Sequence, residues 1–331
     1  MGLNEKFFKS EEGGGGTTSF FNTVLYTGNG SVNARTGVGF KPDLVWIKGR
    51  AGSHHTVYDS IRGVNKALRT NLANAEFVGT GFLTSFDVDG FTLGGNEPNN
   101  SSGNTVAWCF KAGGAAVTTT PSGGLASTVS ANVGAGFSMV KFRSDSSAGL
   151  KIAHGLSSAP EMIIYKLYDA SQGWYVNTNQ VNGNRSEGVL NTNAGFSNVG
   201  SAWSSMSTST LINSFTSSNG QDYMAYCFHS VAGVSKVGSY TGTGNNMTVN
   251  VGFEPAFIII KNTTDAASWH IFDNKRTAAN PSTEALFPNE TSGSADYNNV
   301  FEFTSTGFNN KVTSTYLNKP SSVYLYYAVS V

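Results

Sequence analysis

The sequence predicts an all-β protein built from three tandem, diverged antiparallel β-sandwich domains of the jelly-roll type, preceded by a short N-terminal arm. Charged residues make up 13% of the 331 residues, about half of the ~25% usual in soluble proteins, and there are 39 glycines. Apolar residues occur in short clusters rich in Val, Ile, Phe, Tyr and Trp rather than at helical spacing. Both features favour many short strands, and internal repetition provides the third observation.

The first repeated anchor is a Gly-apolar pair followed by Pro and an apolar strand that ends in Lys. It reads GFKPDLVWIK at 39–48, GLSSAPEMIIYK at 155–166 and GFEPAFIIIK at 252–261. In every copy the Lys follows the Pro by six residues (48−42, 166−160 and 261−255). A fixed period with matching spacing indicates a repeat architecture.

Two further anchors follow in the same order. The second is an aromatic-led strand: HTVYD at 55–59, WYVNT at 174–178 and WHIFD at 269–273. The third is a closing strand, which we align as VAWCF at 106–110, MAYCF at 224–228 and YAVSV at 327–331. This alignment places Ser330 opposite Cys109 and Cys227. Turn signals every eight to twelve residues predict about seven strands in each copy, and a short helix between Ile61 and Leu72 is one further expectation.

These anchors predict an arm at 1–22, domain 1 at 23–114, a linker with domain 2 at 115–232, and domain 3 at 233–331. The linker at 113–127 is rich in Gly, Pro, Ser and Thr, whereas domains 2 and 3 meet with almost no slack. We therefore expect a rigid pair of domains 2 and 3, with domain 1 packed alongside or mobile. Copy two lacks the Asp and Arg of the DSIR and DNKR segments, which suggests a different surface there.

The arm contains two pairs of phenylalanines around a run of four glycines, and the candidate attachment residues are Phe7, Phe8, Phe20 and Phe21. A segment of this composition cannot form a core alone, so we expect it to dock onto another chain. Neither a signal peptide nor an apolar run near ~20 residues is visible.

The composition excludes several classes of function. With 21 basic and 21 acidic residues the net charge is zero, so neither nucleic acid nor membrane insertion is expected. Cys109 and Cys227 occupy matching strand positions, and we interpret them as small buried thiols rather than a disulfide. The five histidines lack metal-ligand spacing, and no nucleophile elbow or carboxylate pair stands out. We therefore expect no catalytic residue, no metal and no cofactor.

The aromatic residues leave one candidate for ligand contact. Trp174 and Trp269 share a repeat position, and Trp46 and Trp108 lie within predicted strands, so all four are expected in cores. Trp203, in the loop-like segment GSAWSSMSTST, is the best candidate for an exposed residue that touches a ligand. The Asp87-Val88-Asp89-Gly90 segment lacks the later ligands of a calcium loop and is interpreted as a turn.

The segments GFKPDLVWIK, LTSFDVDGFTLG, VAWCFKAG, GSYTGTG, GFEPAFIIIK and WHIFDNKR resemble a repeated domain of tail-fibre-like and other structural proteins of tailed bacteriophages. The resemblance covers residues 23–331 and implies a virion component that is made in the host cytoplasm, rather than an enzyme. It carries no catalytic residue over.

We therefore expect a tail fibre or receptor-binding appendage, held to other virion proteins through the arm. Analogy with many fibres favours a homotrimer, and the polar loops suit a host surface glycan. A capsid decoration or head-fibre protein on the head surface is the alternative. A glycan depolymerase is a weaker one, which would need converging carboxylates in a groove.

Overall fold

The computed structural model describes residues 20–99, 103–145, 151–181, 183, 185–200, 210–212, 220–276, 284–296, 300–311 and 316–330. Within this part of the chain there are 29 strands and no helix, which confirms the all-β prediction. The helix expected between Ile61 and Leu72 is wrong, because this segment contains a strand at Lys66–Arg69 between turns. No helix in the described ranges is therefore long and apolar enough to cross a membrane.

The strands divide among the three repeats. Repeat 1 contains β1 (Phe21–Thr27), β2 (Asn33–Arg35), β3 (Leu44–Gly49), β4 (Thr56–Asp59), β5 (Lys66–Arg69), β6 (Phe77–Val78), β7 (Leu83–Asp87), β8 (Gly90–Leu93) and β9 (Asn104–Phe110). Repeat 2 contains β10 (Val117–Thr119), β11 (Gly124–Leu125), β12 (Ser127–Asn132), β13 (Phe137–Arg143), β14 (Lys151–Ala153), β15 (Met162–Leu167), β16 (Trp174–Thr178), β17 (Arg185–Val189), β18 (Ser197–Gly200), β19 (Thr210–Ile212) and β20 (Asp222–Phe228). Repeat 3 contains β21 (Ser235–Thr241), β22 (Met247–Asn250), β23 (Pro255–Asn262), β24 (His270–Asp273), β25 (Glu284–Ala285), β26 (Ala295–Asp296), β27 (Phe301–Thr304), β28 (Gly307–Asn310) and β29 (Val323–Ser330).

The main sheets of the three repeats share a segment of four strands in the same order. This segment consists of the opening strand, the closing strand, the Pro-led strand and the aromatic-led strand, and further strands extend it in repeats 1 and 2. The orders are β1-β9-β3-β4-β5-β6 in repeat 1, β10-β12-β13-β20-β15-β16-β17-β18 in repeat 2, and β21-β29-β23-β24 in repeat 3. All neighbouring strands of these sheets pair antiparallel.

A smaller three-stranded sheet covers one face of each main sheet, which gives every repeat a β-sandwich. These cover sheets are β2-β8-β7, β11-β14-β19 and β22-β28-β27. Each sandwich contains its own apolar cluster, with Phe91 among the buried residues of repeat 1, Ile152 in repeat 2 and Phe308 in repeat 3.

The opposite faces of the three main sheets pack into one shared apolar cluster, here called the central core. It contains Trp108 from repeat 1, Trp174 from repeat 2 and Trp269 from repeat 3, all at most 1% exposed. Because both faces of a main sheet are buried, the Pro-led strands are apolar at nearly every position, as is usual for strands with two covered faces. The prediction that Trp46, Trp108, Trp174 and Trp269 are core residues is confirmed.

The shared core bears on the expected arrangement of the domains. Repeat 1 contributes to the central core as fully as the other two, in agreement with the alternative that it packs alongside repeats 2 and 3. The linker at 113–127 is itself structured, because β10 pairs with β12 and β11 pairs with β14.

The strand register corrects the alignment of the third closing strand by two residues. Phe110, Phe228 and Val329 pair with equivalent positions of the Pro-led strands, Leu44, Met162 and Phe257. The position of Cys109 and Cys227 is therefore taken by Ala328 and not by Ser330. The two cysteines are buried and free, as predicted.

A change in side-chain sizes at one strand pair explains why the closing strand of repeat 3 was aligned two residues out of register. In repeats 1 and 2 an alanine of the closing strand faces a valine of the opening strand: Ala107 pairs with Val24, and Ala225 with Val140. In repeat 3 the pair is Tyr326 with Gly238. A Cβ on Gly238 would lie 2.5 Å from the Tyr326 hydroxyl, so only glycine leaves room for the larger ring.

Two turn glycines are required by close backbone contacts. A Cβ on Gly90 would lie 1.8 Å from the Arg35 carbonyl oxygen, and one on Gly307 would lie 2.0 Å from that of Val249. These contacts bring the outer strand of the cover sheet, β2 or β22, against the hairpin. The turn interpretation of the Asp87–Gly90 segment is confirmed, since Asp89 accepts hydrogen bonds from the backbone N–H groups of Gly37 and Gly39.

Candidate functional site

The residues that join the three repeats form the most regular constellation in the structure. Lys48, Lys166 and Lys261, the last residues of the first anchor, are each completely buried. Each Nζ donates one hydrogen bond to a carbonyl of its own following loop, at 2.5 to 2.6 Å, and one at 3.0 Å to a carbonyl of a neighbouring repeat. The acceptors in the neighbouring repeats are Thr291 for Lys48, Ala73 for Lys166 and Asn193 for Lys261.

These contacts close a ring. Repeat 2 binds repeat 1 through Lys166, repeat 3 binds repeat 2 through Lys261, and repeat 1 binds repeat 3 through Lys48. We call the three boundaries seam 1–2, seam 2–3 and seam 3–1. Because the first and last repeats of the chain are joined by the same contact as the others, the ring is closed by seam 3–1.

Two backbone hydrogen bonds accompany each lysine. The carbonyl of the neighbouring repeat that binds the lysine also accepts a backbone N–H from the loop that follows the lysine. In the other direction, the residue three positions after that carbonyl donates its backbone N–H to the carbonyl of the residue two positions after the lysine. The bonds are Gln172 to Ala73 and Glu76 to Tyr168 at seam 1–2, Ala267 to Asn193 and Phe196 to Thr263 at seam 2–3, and Ser53 to Thr291 and Ser294 to Arg50 at seam 3–1, all between 2.7 and 3.0 Å. The same three-bond motif therefore occurs at every seam.

The aromatic position of the second anchor differs between repeats. Trp174 Nε1 donates to the Arg69 carbonyl across seam 1–2 at 2.9 Å, and Trp269 Nε1 donates to the Val189 carbonyl across seam 2–3 at 3.2 Å. Repeat 1 has His55 at this position, and its Nδ1 accepts a hydrogen bond from Trp46 Nε1 of the same repeat at 3.1 Å. The indoles of repeats 2 and 3 donate a hydrogen bond across a seam, whereas the imidazole of His55 accepts one from within repeat 1.

A buried carboxylate lies at two of the seams. At seam 1–2, Asp59 binds Arg62 Nε at 2.5 Å and accepts the Tyr226 hydroxyl at 2.9 Å. At seam 3–1 the matching residues are Asp273, Arg276 and Trp108, whose Nε1 donates to Asp273 at 3.0 Å. Repeat 2 has Thr178 at this position.

The expectation that copy two differs by its surface at this position is therefore wrong. Asp59, Arg62, Asp273 and Arg276 are at most 5% exposed, and the two carboxylates accept hydrogen bonds across seams. Charged residues of this kind can be fully buried when their hydrogen bonds are satisfied by an ion-pair partner.

Burial shifts the pKa values of the ring lysines. Desolvation of the ammonium group lowers the pKa of Lys48, Lys166 and Lys261 to about 8. A neutral amine retains two N–H groups, which is enough for the two carbonyls that each lysine binds. The seam hydrogen bonds can therefore persist after deprotonation, and the buried charge is removed.

The stability of the protein is expected to rise between pH 8 and about pH 9. In this range the folded lysines have lost protons that the unfolded chain retains until its ordinary pKa of 10.5, so the free energy of unfolding increases with pH. Above about pH 9 it should fall, because burial raises the pKa of both cysteines and of several tyrosines, among them Tyr58 and Tyr226, and only the unfolded chain ionises there. Urea unfolding at half-unit pH intervals measures the profile, and a monotonic decrease from pH 8 would contradict it.

Replacement of Lys166 by Met should lower the free energy of unfolding by about 1 to 3 kcal/mol. The change leaves the carbonyls of Ala73 and Gln172 without this donor, while the removal of a buried charge offsets part of the cost. Urea unfolding at pH 7 measures the difference. The exposed Lys41 provides the control, since Lys41→Met should change stability by less than about 0.5 kcal/mol. Equal effects of both substitutions would exclude the seam role.

The two ends of the ring differ in what they contain. Phe21, the first residue of β1, lies at one end of the ring. Phe110 and Phe228, the last residues of the closing strands of repeats 1 and 2, lie at the same end. We call this the arm end. The opposite end, the loop end, contains the loops that follow Lys48, Lys166 and Lys261. A groove of about 380 Å³ at the arm end includes Lys41 and Lys111 in its lining, and a pocket of about 260 Å³ at the loop end includes Glu97 and Asn104.

Three of the predicted attachment and ligand residues lie outside the described part of the chain, and two pack against the central core. Phe7, Phe8 and Trp203 lie outside the described residues. Phe21 begins β1, is 1% exposed and packs against Phe110 in the central core, so its assignment to an attachment surface is wrong. Phe20 packs half-buried against the same core, and its carbonyl accepts the Lys111 N–H. The arm therefore ends before β1, two residues earlier than the predicted boundary at residue 22.

The described ranges contain no group of three His, Cys, Asp or Glu residues that could hold a metal ion.

The ring lysines were visible in the sequence only as an alignment anchor. Their fixed spacing after Pro was a signal of a shared role, but nothing in it named a partner.

A family model described as "Domain of unknown function (DUF7483)" matches residues 16–330. The chain belongs to this family. The match spans all three repeats as one unit, in agreement with a single central core. No curated protein and no solved structure matches the sequence.

Proposed function

We propose that this chain is a structural protein of a tailed-bacteriophage virion, namely a tail fibre or receptor-binding appendage that is held through its N-terminal arm and has no enzymatic activity. The observation that best supports the proposal is the polarity of the ring. The chain emerges from Phe20 at the arm end, while the three sets of loops after the ring lysines project at the opposite end. Such a module can be held at one end and make contacts at the other.

The seams support a mechanical role. Three equivalent hydrogen-bond motifs and one shared apolar core join the repeats, so a force applied at the arm end is distributed over the whole ring. Binding is expected at the loop end, through polar contacts to a host surface glycan, because charged residues are few and the net charge is zero. The partners at the arm end are other virion proteins, and the protein is made in the host cytoplasm before assembly.

Density-map localisation of this chain on intact particles tests the proposal. A few copies that project from the tail, with residues 1–19 held at their base, are the expected result. Copies that tile the head would replace the tail-fibre proposal with capsid decoration, in which the arm binds neighbouring capsid subunits. Absence of the chain from purified particles would overturn both.

The oligomeric state can be measured independently. Three sheets of one chain already bury their inner faces against one another, so the central core needs no second copy. The homotrimer expected by analogy with fibres must therefore form through the arm or the outer surfaces. Light scattering of the full chain should give three times the chain mass of 34.9 kDa if trimers form. Truncation of residues 1–19 should then return it to the monomer mass if the arm is responsible.

The absence of enzymatic activity can also be tested. Incubation of the purified protein with host surface polysaccharide should release no reducing ends above the level of the heat-denatured protein. Sustained release that depends on the folded protein would instead support a glycan depolymerase.

A further inference from the structure

Seam 3–1, which closes the ring, has buried donors that lack an acceptor. Three buried nitrogen atoms near it have no hydrogen-bond partner among the described residues: His55 Nε2, Arg276 Nη1 and Arg50 Nε. At seam 1–2 the equivalent of Arg276 is Arg62, whose Nη1 binds Glu76 at 3.1 Å. Seam 3–1 also contains an ion pair between Arg50 and Glu284 at 2.8 Å, so the unpaired donors lie beside well-formed contacts. Each unpaired buried donor has lost its hydration without gaining a partner, which weakens the boundary at which it lies.

His55 occupies the aromatic position of the second anchor at this seam. Its side chain is completely buried and stacks on Trp108 with ring centroids 6.1 Å apart. Trp108 in turn donates across the seam to Asp273 of repeat 3. Because Nδ1 of His55 accepts the indole N–H of Trp46, the neutral imidazole carries its proton on Nε2.

We propose that the ring opens at seam 3–1 when the solution is acidified, and that protonation of His55 is the trigger. A proton added to Nδ1 removes the lone pair that accepts from Trp46 and places two N–H donors against each other. The Nε2–H group also has no acceptor, so both N–H groups of the buried imidazolium are unpaired. Opening the seam exposes the imidazolium to water, which supplies acceptors.

The charges around His55 all act in the same direction. After desolvation, Lys48 on β3, Arg276 of repeat 3 and the adjacent His54 hold the pKa of His55 well below its ordinary value of 6.5. Asp273, which Trp108 binds across the seam, is already paired with Arg276. Glu284 is paired with Arg50 in the same way. None of the charges that shift the pKa of His55 is a carboxylate that would favour the imidazolium.

The expected size of the effect follows from this difference in pKa. The closed seam is fully favoured above pH 6.5, where the imidazole of the open state is also neutral. Below pH 6.5 only the open state takes up the proton, so the ratio of open to closed molecules rises by up to about tenfold per pH unit. Between pH 7 and pH 4.5 the rise is up to about 80-fold.

The other two seams provide internal controls. Trp174 and Trp269 occupy the position of His55 there, and an indole does not titrate in this range. The backbone bonds of the seam motif are chemically equivalent at all three seams. A measurement on these amide groups therefore compares the seam that has a histidine at this position with two that have a tryptophan, within one molecule.

Hydrogen exchange of the full chain, corrected for intrinsic exchange rates, tests the proposal at pH 7 and pH 4.5. Protection of the amides of Ser53 and Ser294, at seam 3–1, should fall by a factor of 10 to 80. Protection of Gln172 and Glu76 at seam 1–2, and of Ala267 and Phe196 at seam 2–3, should fall less than threefold. Equal loss at all seams, or no loss at seam 3–1, would overturn the proposal.

Acid unfolding of repeat 3 must be distinguished from opening of the seam. Burial lowers the pKa of His270, inside the sandwich of repeat 3, to about 3, so acid also destabilises that sandwich. The Ile271 amide, which binds the Leu286 carbonyl within repeat 3, reports this event. Loss of protection at Ile271 together with Ser294 would contradict opening of the seam alone.

A double variant removes the trigger. Trp46→Ile with His55→Trp recreates the pair found in repeats 2 and 3, where Ile164 and Ile259 accompany Trp174 and Trp269. In this variant the protection of Ser53 and Ser294 should become independent of pH between 4.5 and 7. Retention of the wild-type loss would exclude His55 as the trigger. If the variant does not fold, the comparison of the three seams in Glu284→Gln decides the proposal, because the ion pair with Arg50 no longer titrates there. Loss of protection at seam 3–1 should persist in Glu284→Gln, and its disappearance would exclude His55 as the trigger.

Discussion

Replacement of Asp59 by Ala should lower the free energy of unfolding by about 3 to 5 kcal/mol, the cost typical of breaking a buried ion pair from one side. The Arg62 guanidinium would remain buried without its carboxylate, and the Tyr226 hydroxyl would lose its acceptor across seam 1–2. Urea unfolding followed by tryptophan fluorescence measures the loss. Because Asp59 is completely buried, little of this cost can be recovered by solvation.

The double variant Asp59→Leu with Arg62→Met is the matched control. It removes both charges and keeps an apolar volume, and such replacements are often close to neutral. We expect it to be at least about 2 kcal/mol more stable than Asp59→Ala. If the double variant loses as much stability as the single one, then packing rather than the uncompensated charge determines the cost. The seam interpretation of Asp59 would then be wrong.

The second large effect is a coupling between Trp46 and His55. Repeat 1 has the large Trp46 in its Pro-led strand and the smaller His55 at the aromatic position of the second anchor. Repeats 2 and 3 have Ile and Trp at these two positions. Trp46→Ile alone should cost about 2 to 4 kcal/mol, because it leaves a cavity in the central core and removes the donor to His55. His55→Trp alone should cost about 1 to 3 kcal/mol by overpacking against Trp46 and Trp108.

The double variant should recover most of this loss. The indole at position 55 would occupy the space vacated by Trp46 and would face seam 3–1, as Trp174 and Trp269 face theirs. We expect a coupling free energy of at least about 2 kcal/mol in a double-mutant cycle measured by urea unfolding. Additive losses would show that the two positions do not exchange volume in the central core, and would contradict the equivalence of the three seams.

The carboxylate position shows a second exchange between repeats. Tyr226 donates to Asp59, and Trp108 donates to Asp273, so a donor and an acid occur together at seams 1–2 and 3–1. At seam 2–3 the acid position is Thr178, whose hydroxyl donates to the Glu161 carbonyl within its own repeat. Loss of the acid in repeat 2 is thus matched by a local hydrogen bond, and it leaves no carboxylate at this position of the seam.

Much of the fold could be predicted from the sequence. The low charge, the short clusters of β-branched and aromatic residues, and the turn glycines predicted strands, because local composition and spacing determine which segments can pair in sheets. The recurrence of three anchors predicted three similar sandwiches. Burial of the tryptophans at shared positions followed from the same repetition.

The tertiary structure alone decided how the sandwiches are arranged and what several residues do. A main sheet with both faces apolar needs a second covering surface, but composition does not say whether another repeat, another chain or the arm provides it. Phe21 shows the ambiguity: a phenylalanine next to a glycine-rich tether is as compatible with a docking arm as with the first residue of a core strand. The two-residue slip in the last strand arose because Tyr326 and Gly238 exchanged volume across the sheet, and a single-strand alignment cannot detect that exchange.

The ring lysines show most clearly which contacts could not be predicted from the sequence. Their spacing after Pro42, Pro160 and Pro255 is a property of the sequence and predicted a common role. Their partners across the seams are the backbone carbonyls of Ala73, Asn193 and Thr291, three different residue types. A backbone carbonyl is the same chemical group in every residue, so it leaves no trace in the side-chain sequence, and only the folded ring shows which carbonyls the lysines bind.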